Sequence, residues 1–127
     1  MIVVDASVVV LGVLENQTAW QMLADEDLHA PAVIDVEVVS ALRRHTLRGG
    51  LDAKVALVAL QGWGEMFVNR YFSNVDIPRM WELRENLTTA DSSYVALAES
   101  LDCALVTADR RLAGAPGIRC PVTVITS

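Results

Sequence analysis

Two short runs of purely apolar residues, Met1–Val4 and Ala104–Val106, each lead into an aspartate: Asp5 directly, and Asp109 after Thr107-Ala108. Runs of this kind make strands buried on both faces, as in a parallel sheet covered by helices on either side. An aspartate at the C-terminal end of such a strand lies on the edge where open α/β sheets bind ligands. If the two strands are neighbours, their acids come within a few ångströms of each other.

The segment joining the second strand to what precedes it carries a third acid. Thr88 and Thr89 are N-cap candidates, and Asp91 falls in or just before the first helical turn, where the macrodipole favours an anion. Tyr94, Val95, Ala98 and Leu101 then recur three and four residues apart as an apolar stripe. The Asp91 carboxylate therefore sits at the N-terminal end of a buried face and points toward the core.

Strand and helix signals alternate along the whole chain. Ala6–Leu14 reads as a helix in which Ser7 can cap or hydrogen-bond a nearby carboxylate, and Gln17–Ala24 reads as a second helix with Trp20 and Leu23 inward. Asp25-Glu26-Asp27 is a solvated acidic run. Leu28–Ala30 is a short strand stopped by Pro31, and a helix over Ala32–Arg48 ends at Gly49-Gly50. Its apolar residues are Val33, Ile34, Val38, Ala41 and Leu42. Glu37 shares that face, where a carboxylate needs a cation or donor. At its end Arg43, Arg44, His45 and Arg48 complement the dipole or, alternatively, contact RNA. Asp52 caps a helix whose Val55, Leu57, Val58, Ala59 and Leu60 supply core. Met66–Phe72 is an irregular aromatic stretch, either core patch or partner surface. Pro78–Arg84 is a short helix with Trp81 and Leu83 buried. A short helix follows Asp109, and Val122–Ile125 is a last strand. The class is an α/β, three-layer α/β/α sandwich around a mostly parallel sheet.

Length and composition bound the rest. The 127 residues fit a single domain spanning 1–127, and 53% of them are apolar, as a buried parallel sheet requires. No window nears the roughly 18 apolar residues of a membrane span, and Asp5 interrupts the first apolar run before it could act as a signal peptide, so the chain reads as cytoplasmic. A net charge of −6 argues against holding polyanions by broad electrostatics. Nine of the ten basic residues are arginine and the other is Lys54. Cys103 and Cys120 have neither C-x-x-C spacing nor a neighbouring histidine. They read as reduced core thiols, with a bridge or redox role as the alternative.

Asp5, Glu37, Asp91 and Asp109 are thus acids that follow or interrupt apolar sequence. Crowded carboxylates raise one another's pKa values or repel the fold apart, and a hard divalent cation resolves the conflict. Mg²⁺ takes oxygen ligands and is held by one or two carboxylates plus substrate phosphate. His29 and His45 stand 16 positions apart, read as surface or capping residues, and offer no zinc site. An all-carboxylate metal site on this edge suits phosphoryl chemistry.

The motifs I-V-V-D-A-S at the start, E-V-V-S-A-L around Glu37, T-A-D-S-S-Y-V-A-L-A-E around Asp91 and L-V-T-A-D-R-R-L around Asp109 resemble the PIN-domain pattern. More narrowly, they resemble the VapC-type toxins of bacterial type II toxin–antitoxin modules. The resemblance implies a Mg²⁺- or Mn²⁺-dependent endoribonuclease that cuts RNA such as tRNA or rRNA. It also implies inhibition by a VapB-like antitoxin and assembly as a homodimer. Carried over by matched position, Asp5, Glu37, Asp91 and Asp109 are the catalytic acids. Asp5, Asp91 and Asp109 are the metal ligands, Asp5 and Asp91 first among them, and Ser7 and Thr107 are supporting hydroxyls. Leu51–Arg79 matches only as generic helix and aromatic content. The alternative function is a PIN-like module that binds RNA or protein without cutting. A phosphatase or receiver fits poorly, because Ser7 stands where the first needs an acid and Lys54 is too early for the second.

Overall fold

The computed structural model describes residues 1–14, 16–72 and 76–126. Strand β1 (Ile2–Val4) is followed by helices α1 (Ala6–Leu14) and α2 (Gln17–Asp25), strand β2 (Leu28–Pro31), and helices α3 (Val33–Leu47) and α4 (Ala53–Glu65). Then come strand β3 (Val68–Tyr71), helices α5 (Ile77–Glu82) and α6 (Thr89–Leu101), strand β4 (Ala104–Thr107), helix α7 (Arg110–Ala113) and strand β5 (Val122–Val124).

The strands form one sheet in the order β3-β2-β1-β4-β5, and every pairing is parallel. Val3 and Val4 at its centre, with Leu105 beside them, are fully buried, which is why the first residues carry no alternation. Ile2 pairs with Leu28 on one side and with Ala104 on the other. The chain thus leaves β1 in one direction and comes back to β4 in the other, so the C-terminal ends of these two strands flank the topological switch point. Helix α6 lies across β1, β2 and β4, while α1 and α3 pack together and reach β4 and β2. Right-handed crossovers put these two groups on opposite faces and make the three layers.

Helix α6 is buried along most of its length, from Ser92 to Ala98. Ser92 and Ser93 are satisfied inside it by donating to the carbonyls of Thr89 and Ala90. The helix ends at Asp102, whose φ of 53° is the left-handed cap that aspartate tolerates.

Several expectations need correction. Met66–Phe72 is not irregular: Val68–Tyr71 is edge strand β3, with Phe67 and Phe72 exposed on either side of it. In α4 it is Ala56 and Trp63 that are buried, while Val55, Leu57 and Val58 face solvent, because no second layer covers that side of the helix. Trp81 is likewise exposed, and only Leu83 of the expected pair is buried. Val33 is exposed although Ile34, Val38 and Leu42 are buried. His29 is a buried residue, not a surface one. Its Nδ1 meets the Tyr71 hydroxyl at 2.8 Å and its Nε2 meets Asp27 at 3.1 Å. Cys103 and Cys120 are free thiols, half-buried instead of in the core, and burial pushes Cys120 up to about 11. No helix among the described residues is long and apolar enough to cross a membrane.

Candidate active site

Asp5 follows the last residue of β1, and its backbone N–H continues the ladder by donating to the Val106 carbonyl of β4. The side chain is 5% exposed. One carboxylate oxygen accepts from the Ser7 N–H at 3.1 Å and from the Ser7 hydroxyl, and the other accepts from the Thr107 hydroxyl. Those hydroxyls are themselves polarised. Ser7 Oγ accepts the Ala108 N–H at 2.8 Å, and Thr107 Oγ1 accepts the Asp109 N–H at 3.0 Å. Two backbone amides of the turn after β4 therefore reach the Asp5 carboxylate through one hydroxyl each. Burial nevertheless raises the Asp5 pKa from 3.8 to about 6, against the lowering by Ser7 and Thr107, and the like charge of Asp91 adds to the rise.

Asp91 stands in the first turn of α6, where Thr88 is the N-cap and its hydroxyl accepts the Asp91 N–H at 3.1 Å. Among the hydrogen bonds of the described residues the Asp91 carboxylate accepts none, although the residue is half-buried. Thr88→Ala should lower stability by about 1 kcal/mol, the usual loss of a threonine cap. In thermal denaturation this is a fall of roughly 3–6 °C that Thr88→Ser restores. An unchanged midpoint would mean that Thr88 does not set the start of this helix.

Glu37, in the second turn of α3, is half-buried and accepts the Tyr94 hydroxyl of α6. Tyr94 is 1% exposed, and burial, the Glu37 hydrogen bond and the nearby charges of Asp5 and Asp91 all raise its pKa. Its hydroxyl contacts Glu37 and feels the charges of Asp5 and Asp91 at longer range. The sequence presents Tyr94 only as part of an apolar stripe; the available signal is that a buried tyrosine hydroxyl needs a partner.

Asp109 caps α7 by accepting the Arg111 N–H at 2.9 Å, and the Arg111 guanidinium approaches the same carboxylate. Burial pushes Asp109 up, but the Arg111 side chain and backbone outweigh it and hold the pKa below 3.8. Asp91 and Asp109 line one cleft of about 200 Å³ together with Asn86, Thr88 and Arg111.

All four expected acids thus lie on one side of the molecule, at the switch-point edge, but they do not converge. Among the described residues no three His, Cys, Asp or Glu side chains stand close enough to cage an ion. Repelling carboxylates take separate donors: Ser7 and Thr107 for Asp5, Tyr94 for Glu37, Arg111 for Asp109. The chemistry of the set still fits a hard divalent ion. It is all oxygen, it includes one half-buried carboxylate that accepts no hydrogen bond among the described residues, and Mg²⁺ needs only one or two carboxylates beside its waters.

Fold and edge together define a class, a doubly wound α/β/α domain with carboxylates where an open sheet takes its ligand. Comparison with known proteins narrows it. The PIN domain profile matches residues 2–118. The VapC ribonuclease Mb0985 of Mycobacterium bovis and the ribonuclease VapC9 of Mycobacterium tuberculosis are each 47% identical to this chain over 125 residues, 98% of this chain and 98% of theirs. The chain therefore belongs to the PIN domain family, among the VapC ribonucleases. The crystal structure of PAE2754 from Pyrobaculum aerophilum matches with a TM-score of 0.72 at 23% identity, covering 95% of this chain and 81% of that one, a likeness of fold.

Proposed function

We propose that this chain, a single PIN-like domain over residues 1–127, is a divalent-metal-dependent endoribonuclease and the toxin of a VapBC-type module. The observation that carries the metal assignment is the half-buried Asp91 carboxylate, which accepts no hydrogen bond among the described residues and adds its charge to buried Asp5. In this reading Asp5 and Asp91 hold Mg²⁺ or Mn²⁺ directly, Asp109 becomes the third ligand by moving in from its place beside Arg111 when the ion binds, and Glu37 is the fourth acid. Such an ion, when bound, activates water and offsets charge on the leaving oxygen.

The chain's own groups do the positioning. Ser7 and Thr107 fix both Asp5 oxygens in place, so the carboxylate presents one geometry to its ligand. Tyr94 holds the Glu37 carboxylate against α6 by donating its hydroxyl to it. Family membership supports the partners: RNA of the tRNA or rRNA class as substrate, a VapB-like antitoxin as inhibitor, a second copy as homodimer, and the cytoplasm as location.

Incubation with total RNA tests the reading: cleavage in Mn²⁺ and none in EDTA. Binding without cleavage in every divalent ion would instead mark an RNA- or protein-binding module. Millimolar Mg²⁺ should also raise the melting temperature by a few degrees, since an ion that binds only the folded state stabilises it by mass action. A midpoint indifferent to Mg²⁺ and Mn²⁺ would remove the metal from the account.

A further inference from the structure

Most of the arginines with side-chain partners are committed to structure. Arg70 binds Asp35, Arg79 binds Glu99 and Glu82, Arg84 lies over the Trp81 ring and Arg44 donates to Ser40. Arg111 differs in place and in strength of contact. It is the one cationic side chain among the described residues that line the cleft of Asp91 and Asp109. Its Nε stands 3.3 Å from Asp109 Oδ1 and its Nη2 3.4 Å from Oδ2, both long, and the side chain is 93% exposed. So exposed a pair is weak and yields to a stronger partner.

The stronger partner is the ion proposed for the same carboxylate. Its arrival cancels the charge that holds the guanidinium, while Arg111 itself stays at the cleft because its backbone N–H caps α7 on Asp109. A planar guanidinium fork matches two oxygens of a phosphate. In a chain of net charge −6, a cation beside the acids is also what a polyanion needs at the point of cleavage.

We propose that Arg111 exchanges partners, neutralising Asp109 in the metal-free chain and gripping a backbone phosphate of the RNA once a divalent ion has taken that carboxylate. The proposal rests on the metal-dependent ribonuclease reading and adds a substrate-binding residue to it. Arg111→Gln is the test, because so exposed a side chain can be changed without disturbing the fold. Two opposite effects are expected. The Mn²⁺ concentration giving half of the thermal shift, measured without RNA, falls about threefold, since the competitor for Asp109 is gone. KM for an RNA oligonucleotide rises about tenfold with kcat within about threefold, the scale of one charge-assisted contact. The dependence of log(kcat/KM) on log salt also becomes shallower by about one. Arg111→Lys keeps the salt slope and raises KM less.

A Mn²⁺ midpoint that does not move overturns the exchange. A loss carried in kcat alone, with KM and salt slope unchanged, overturns the phosphate grip. If the wild type cleaves no RNA in any ion, the ribonuclease reading fails separately, and the Mn²⁺ midpoint still decides whether Arg111 competes for Asp109.

Discussion

Asp5→Asn lowers RNA cleavage by ~10³ or more, the scale of removing a preorganised electrostatic group from a site, yet leaves the metal-free chain at least as stable as the wild type above pH 7. The second half follows from the pKa. Raised from 3.8 to about 6, Asp5 favours folding most when protonated. That contribution is complete below pH about 4 and is lost as pH rises through 6, when a buried charge must be carried. Two units correspond to about 3 kcal/mol at most for this buried group. Asparagine is neutral throughout, and its amide can donate to Thr107 Oγ1 while the Thr107 hydroxyl turns to Ser7 Oγ, 3.3 Å away. Allowing about 1 kcal/mol for that rearrangement, the variant gains about 1–2 kcal/mol over wild type at pH 8, and the gain disappears near pH 4. Mn²⁺ should reverse the order, since only the wild type keeps the ligand. Cleavage within tenfold of wild type, or a variant less stable at pH 8 than at pH 4 relative to wild type, contradicts the assignment of Asp5.

The largest expected loss of stability lies elsewhere, at Arg79→Met. Arg79 is 8% exposed and ties together α5, α6 and the loop before β5. It donates to both Glu99 oxygens, to Glu82 and to the Gly117 carbonyl. Gly117 has φ of 87°, a backbone conformation that a side chain would strain. Burial alone would raise the Glu99 pKa, but Arg79 and the Arg119 N–H at 2.8 Å hold it below 4.5. Removing the arginine leaves the Glu99 side chain, only 14% exposed, with that one N–H, at about 3 kcal/mol. The melting temperature should drop by more than ~10 °C, and adding Glu99→Gln should recover part of it. Glu99 lies eight residues along α6 from Asp91, about 12 Å, so turnover per folded molecule stays within about threefold. A drop of only 1–2 °C would show that this pair contributes no more than a surface contact.

What could be read from the sequence depended on whether neighbours in the chain decide the matter. β1, β4 and the start of α6 are legible because a short apolar run before an acid, or a threonine before a helical stripe, has one physical meaning in any context. The placement of Asp5, Asp109 and Asp91 follows from that, whereas Glu37 was visible only as an acid on an apolar helix face. β3 is not legible: only Val68 of its four residues is buried, and Asn69, Arg70 and Tyr71 serve partners about 40 residues away in Leu28, Asp35 and His29. His29 is hidden for the same reason. The exposed Val55, Val58 and Trp81 show that periodicity marks a helix's apolar face without showing which face is covered. Of the four candidate acids, the placement near strand ends and helix starts was legible and the spacing between them was not. Whether they converge depends on the donors each one finds, and Tyr94 was visible only as part of a core stripe.

In the proposed site one divalent ion sits between carboxylates brought from the end of β1 and from the start of α6. The most direct test is a crystal of this chain soaked in Mn²⁺ at a concentration that supports cleavage, with the anomalous signal located. A peak is expected within coordination distance, roughly 2.0–2.3 Å, of both Asp5 and Asp91. A crystal with no peak there, or with the ion bound elsewhere while cleavage proceeds, would contradict it.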